Sequence, residues 1–148
     1  MYTEGKKLAD REFNKLLKVM TAANMKYDRE RGQNAAIFGV DIDNMPTVFR
    51  VSCDDERNIM TLCATLPFTI LPRFTAAAAA KIAEINYSLA DGHYNLDTDD
   101  GKLYFYITLA YADCLITEEA YERFIALPLQ VIHQSAKSLA KITSGKFS

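Results

Sequence analysis

The sequence predicts an α+β fold, α-βββ-α-ββ-α, in which an antiparallel sheet is packed by helices. Three observations carry that prediction. Five consecutive alanines, residues 76–80, lead into Lys81-Ile82-Ala83-Glu84-Ile85-Asn86, a segment of high helix propensity. Two strand-like runs follow, joined at Asp100-Gly101, a dipeptide favoured in tight hairpins. Strand runs grouped between isolated helices indicate an antiparallel sheet rather than alternating βαβ units.

The first helix is read from Phe13, Leu16, Leu17, Met20 and Ala23/Asn24, apolar positions recurring at i, i+3, i+4 and i+7. Asp10 is its expected N-cap, because a carboxylate accepts the unpaired amides of a first turn. Gly32-Gln33-Asn34, which follows the charged run Asp28-Arg29-Glu30-Arg31, reads as a loop. Three strands then fall at residues 36–41, 47–53 and 58–66, the last two separated by the polar turn Asp54-Asp55-Glu56-Arg57. Pro46 suits a strand start, and Pro67 and Pro72 bracket the exit from the sheet.

Residues 74–89 form the second helix, with Ala78, Ile82, Ile85 and Leu89 on one face and Gly92 expected at its left-handed C′ position. Alanine has no bulk, so this helix can lie very close to a neighbour. That neighbour is the sheet of its own chain or the same helix in a second copy. The second case puts Ala76, Ala79, Ala80 and Ala83 in a homodimer interface.

Residues 94–98 and 103–111 form the hairpin. A two-residue type I′ loop at Asp100-Gly101 places Leu96 opposite Phe105 and Tyr94 opposite Ile107. One face then carries Leu96, Leu103, Phe105, Ile107 and Leu109; the other carries His93, Asn95, Asp97, Tyr104, Tyr106 and Thr108. The last helix starts at the N-cap Thr117, followed by Glu118 and Glu119 at the positive end of the dipole. Tyr121, Phe124, Ile125, Ile132, Ala136 and Leu139 continue it, Pro128 is expected to kink it, and Gly145 with the polar tail closes the chain.

A chain of 148 residues fits one domain, 1–148, and can bury a core without disulfides or metals. Apolar residues are 49% and charged residues 24%, which argues against wholesale disorder. A net charge of -2 gives no broad basic field for nucleic-acid phosphates. The charged N-terminus is unlike a signal peptide and no window reaches the length of a membrane span, so a soluble cytoplasmic protein is expected. An odd count of three cysteines agrees with a reducing compartment.

The order of elements, with Ile85-Asn86 leading through Gly92 into Asn95-Leu96-Asp97 and then Asp100-Gly101-Lys102-Leu103, resembles the YbjN family. These are bacterial proteins described as sensory-transduction regulators, with a fold similar to that of type III secretion chaperones. The resemblance spans residues 13–142 and rests chiefly on residues 78–109. It implies no catalytic residues. The secretion chaperones are usually dimers that bind an extended partner segment, so it implies a homodimer and a protein partner.

Candidate chemistry is sparse. Asp97-Thr98-Asp99-Asp100-Gly101 suggests a calcium loop, but counting from Asp97 the glycine is fifth and the twelfth residue is Thr108. A calcium loop needs Gly sixth and Glu twelfth, so a hairpin turn accounts for these residues better. Cys53, Cys63 and Cys114 read as buried free thiols; pairing across the 54–57 turn sets Cys53 near Ile59, about four residues or ~13 Å of strand from Cys63. His93 and His133 lie in no metal or serine motif, and a Cys114/His133 pair has no supporting pattern. Asn86 is read as satisfying neighbouring backbone groups. No cofactor or metal is expected.

Two roles from different classes follow. The first is a noncatalytic protein-interaction module, chaperone-like or an adaptor, whose partner-binding residues are Asn95, Asp97, Tyr104 and Tyr106. The alternative is a small-molecule sensor or enzyme with a pocket between helix and sheet, involving His93, Asp97 and Tyr106. Nucleic-acid binding ranks third.

Overall fold

The computed structural model describes residues 2–143, so Gly145 and the tail lie outside the described residues. The order is α1 (Glu4–Ala22), β1 (Asp28–Arg29), β2 (Ala35–Ile42), β3 (Met45–Asp54), β4 (Ile59–Thr69), a 3₁₀ turn at Pro72–Phe74, α2 (Thr75–Ser88), β5 (His93–Leu96), β6 (Lys102–Ala110) and α3 (Glu118–Thr143). The strands form one antiparallel sheet in the order β1-β2-β3-β4-β6-β5. The α+β class therefore holds, with one strand more than the sequence showed: β1 has two residues, too few for any periodicity.

One face of this sheet is apolar and buried. Ala36, Phe38 and Ile42 of β2, Phe49 and Val51 of β3, Met60, Leu62, Ala64 and Leu66 of β4, and Leu103, Phe105 and Ile107 of β6 alternate into a single core. Phe13, Leu16 and Met20 of α1 and Tyr121, Ile132, Ala136 and Leu139 of α3 cover it. Helix α3 touches β2, β4 and β6 as well as α1 and α2, so it runs across the layer as its main cover. A buried carboxylate pins two helices together. Glu12, 1% exposed, accepts from Tyr121 Oη at 2.9 Å and from Lys15 Nζ and Arg11 Nε at 3.1 Å each. Burial and that carboxylate push the Tyr121 phenol up, so it remains the donor.

Several expectations are corrected. Asp10 is not the N-cap: the cap lies seven residues earlier, where Thr3 adopts an extended conformation and its hydroxyl accepts from the Lys6 amide at 3.1 Å. Asp10 sits inside the helix and accepts from Asn34 Nδ2 at 2.6 Å and from the Tyr2 hydroxyl. Pro67 lies within β4, where the pairing with β6 shifts register between Thr65 and Thr69, so the strand passes it through an irregularity. Cys53 pairs with Met60 rather than Ile59, and Cys63 pairs with Arg50. All three cysteines are free, but none is fully buried: Cys53 and Cys63 are half-buried and Cys114 is exposed.

Gly92 is not the C′ residue of α2, which ends at Ser88 with Leu89 as an extended cap. It stands at the entry to β5 with φ +73°, and a Cβ there would approach the Phe105 ring to 2.6 Å. The hairpin register is also shifted by two residues from that expected. Leu96 faces Leu103, Tyr94 faces Phe105 and His93 faces Tyr106. The loop is longer because Asp97 Oδ1 accepts the Asp99 amide and Asp100 Oδ1 accepts the Lys102 amide, both at 2.9 Å. Gly101 closes it with φ +75°, its amide reaching Asp97 O at 2.8 Å and its carbonyl accepting from Ile70 N at 2.7 Å. A shift of two preserves the faces, so the alternation stands. The two-residue, positive-φ turn is instead Asp43-Asn44, between β2 and β3.

Candidate functional site

Among the described residues the second face of the sheet carries no helix. Along it the side chains opposite the core form rows that cross the strands, read from the register. One row is His93, Tyr106, Cys63, Arg50 and Ile37; the next is Asn95, Tyr104, Thr65, Val48 and Gly39. His93, Asn95, Val48, Arg50 and Ile37 are exposed, and Tyr104, Tyr106, Cys63 and Thr65 are half-buried. Val48 at 52% and Ile37 at 39% are large apolar groups open to solvent at one end of the rows.

The aromatic end is ordered by contacts within the face. The Tyr104 and Tyr106 rings stand 6.0 Å apart between centroids and tilted by 45°, and His93 stacks on Tyr106 at 5.8 Å. Burial, reinforced by Cys63 beneath it, pushes the Tyr106 phenol up to about 12, so its hydroxyl stays neutral. Burial pushes the Cys63 thiol up as well. The charge in the middle of the face is Arg50, bound through Nε and one terminal nitrogen to both oxygens of Glu30 at 2.8 and 3.0 Å. That bidentate pair holds the Glu30 carboxyl low.

Of the residues singled out from sequence, Asn95, Tyr104 and Tyr106 lie together on this face. Asp97 stands one position past β5, and its carboxylate is committed to the turn. The set His93, Asp97 and Tyr106 does not line a pocket between helix and sheet, because His93 and Tyr106 stack on the helix-free side. Val48, Ile37, Arg50 and Glu30 were not singled out. The signal for Val48 was Arg50 itself: the charged residue in the run Thr47-Val48-Phe49-Arg50-Val51 marks the parity that faces out.

Ala76, Ala79, Ala80 and Ala83 are all exposed, whereas Ala78 and Ile82 meet the core. Tyr87, 93% exposed, ends the same stripe. Asn86, on the last turn of α2, binds the edge of β5: its Nδ2 donates to Tyr94 O at 3.1 Å and its Oδ1 accepts from Tyr94 N at 2.8 Å. His133 pairs with Asp43 rather than with a thiol. Burial pushes the Cys53 thiol up to about 12. Among the described residues no group of three His, Cys, Asp or Glu side chains is placed to hold a metal ion, and no helix is long and apolar enough to cross a membrane.

Comparison with known proteins fits this architecture. The chain is similar to YbjN from E. coli in its crystal structure, with a TM-score of 0.62 and 17% identity over 84% of this chain and 90% of that one. It is also similar to a chain of the ExsC-ExsE complex, with a TM-score of 0.57 and 14% identity over 85% and 93%. A chain of the HopA1-SchA chaperone-effector complex matches with a TM-score of 0.46 and 14% identity over 97% of each. The fold is of the type III secretion chaperone kind. No curated protein matches the sequence. A family model described as "Putative bacterial sensory transduction regulator" matches residues 13–141, and with most of its length so matched the chain belongs to the YbjN family.

Proposed function

We propose that the chain is a noncatalytic protein-interaction module, a single domain that holds a segment of a partner protein as an adaptor or regulator. The observation that carries this reading is the helix-free sheet face, with Tyr104, Tyr106 and His93 at one end and Val48 and Ile37 at the other. Stacked tyrosines give stiff, amphipathic contact area, and contiguous exposed apolar side chains mark association surfaces. A structure of the same fold occurs in the ExsC-ExsE complex, which supports a protein as the bound species. Thiols held protonated by burial at Cys53 and Cys63 make poor nucleophiles, which favours binding over covalent chemistry. Free thiols suit a reducing cytoplasm.

The exposed stripe Ala76, Ala79, Ala80 and Ala83 supports a homodimer in which two copies of α2 pack closely. Affinity capture from host lysate beside a Tyr104→Ala/Tyr106→Ala variant tests the partner reading. The expected result is a protein enriched by wild type and lost from the folded variant. Equal recovery by both removes the face from the proposal, and no enrichment at all removes the module.

A further inference from the structure

We propose that the groove between α1 and the β1–β2 connection binds a small phosphorylated ligand of about nucleotide size. The groove adjoins the sheet face proposed to hold a protein, the two meeting at the Glu30–Arg50 pair. Helix α1 presents Lys6, Asp10 and Asn14 at i, i+4 and i+8, on one stripe. The connection from Arg29 to Asn34 folds over that stripe, turning at Gly32 with φ +73°. Between them lies a space of about 480 Å³, within the ordinary range for small-ligand sites.

Its charge is unbalanced. Lys6, Arg29 and Arg31 face only two carboxylates, Asp10 and Glu30. Arg50, which does not line the groove, takes both oxygens of Glu30 at 2.8 and 3.0 Å. Asp10 is already occupied by the Asn34 amide at 2.6 Å and the Tyr2 hydroxyl. Counting Arg50 against Glu30, the site carries a surplus of two positive charges in a chain whose net charge is -2.

Two of these cations have no close partner among the described residues. The Lys6 ammonium and the Arg31 guanidinium make no hydrogen bond or close ion pair among the described residues. Arg29 gives one terminal nitrogen to Asn34 Oδ1 at 3.2 Å and lies over the Phe13 ring, which fixes its plane beside the groove. Two guanidinium forks and an ammonium fit the several oxygens of a phosphate monoester, which carries close to two charges. Asn14 and Gln33 on the rim supply neutral donors and acceptors for the hydroxyls or base of the rest of the molecule.

The test is amide NMR titration of the full chain at low salt with AMP, glucose 6-phosphate and, as the uncharged arm, adenosine. Both phosphates are expected to give saturable shifts confined to residues 6–14 and 29–34, with adenosine giving none. AMP alone binding assigns a nucleotide, and glucose 6-phosphate alone assigns a sugar phosphate. A Lys6→Glu/Arg31→Glu variant, changed only at exposed positions, is expected to weaken binding at least about tenfold at unchanged melting temperature. Lys6→Gln/Arg31→Gln serves if the charge reversal perturbs folding. No saturable shift with either phosphate at 10 mM (about 2.7 kcal/mol of binding) overturns the proposal. So do shifts elsewhere on the chain, or a folded variant that binds like wild type.

Discussion

Asn86→Ala tests the link between α2 and the edge of the sheet. In antiparallel β5 the backbone groups of Tyr94 point away from β6, and they meet Asn86 Oδ1 at 2.8 Å and Nδ2 at 3.1 Å. The side-chain amide thus stands where a further strand would pair. Tyr94 is 1% exposed, so water replaces those partners poorly. Two such bonds, with part of the penalty for stranding an amide and a carbonyl, amount to about 3 kcal/mol. The better helix propensity of alanine returns about 0.7 kcal/mol, leaving a loss of about 2 kcal/mol. That corresponds to a fall in melting temperature of about 4–8 °C for a domain of this size. Urea denaturation and amide exchange at Tyr94 measure it, and exchange there is expected to accelerate more than at Phe105. Asn86→Asp sharpens the test. Its carboxylate keeps the acceptor but faces the Tyr94 carbonyl, so its folded pKa is raised. The stability it permits is present in acid and lost as pH rises through that value. A loss below about 0.5 kcal/mol in Asn86→Ala, with unchanged exchange at Tyr94, would refute the account.

Two further outcomes follow. Ellman's reagent at neutral pH is expected to modify Cys114 rapidly and the half-buried Cys53 and Cys63 more slowly, since burial pushes the latter two up and Cys53 to about 12; three equally fast thiols in the native protein contradict this. Asp10 is held low by the Tyr2 hydroxyl and then by Asn34, so its contribution is present above the unfolded carboxyl pKa and lost as pH falls through the folded one. The stability gap between wild type and Asp10→Asn should therefore narrow in acid, and a gap independent of pH would exclude that role.

What was legible in the sequence was whatever repeats along one element. The apolar spacing of α1 and α3 and the alternation of β3, β4 and β6 read directly, because each element buries one face. The start of α1 was not legible, since Glu4, Lys6 and Lys7 are polar and leave no stripe in the first turn. The hairpin register escaped because the Asp-Gly rule counts residues, whereas the loop length here is set by two aspartate side chains capping amides. On the open face, Tyr104 and Tyr106 were found from a period of two. The pairing of Arg50 with Glu30, twenty positions away, and the groove over α1 arise only when separate elements meet. No local pattern encodes them.

Helix α3 is also the last of these elements to leave the ribosome. At about 5–20 residues per second, its 26 residues take about 1–5 s to synthesise. During that interval every strand residue has been synthesised, but the helix that is the main cover of the sheet, and the Tyr121 donor for Glu12, are not yet in place. Phe49, Leu62 and Phe105, all buried in the finished core, lack the cover of α3 until then. A protein proposed to offer one face to partners thus passes through a nascent stage in which the opposite face also lacks its cover, and the arrival of α3 closes that second face.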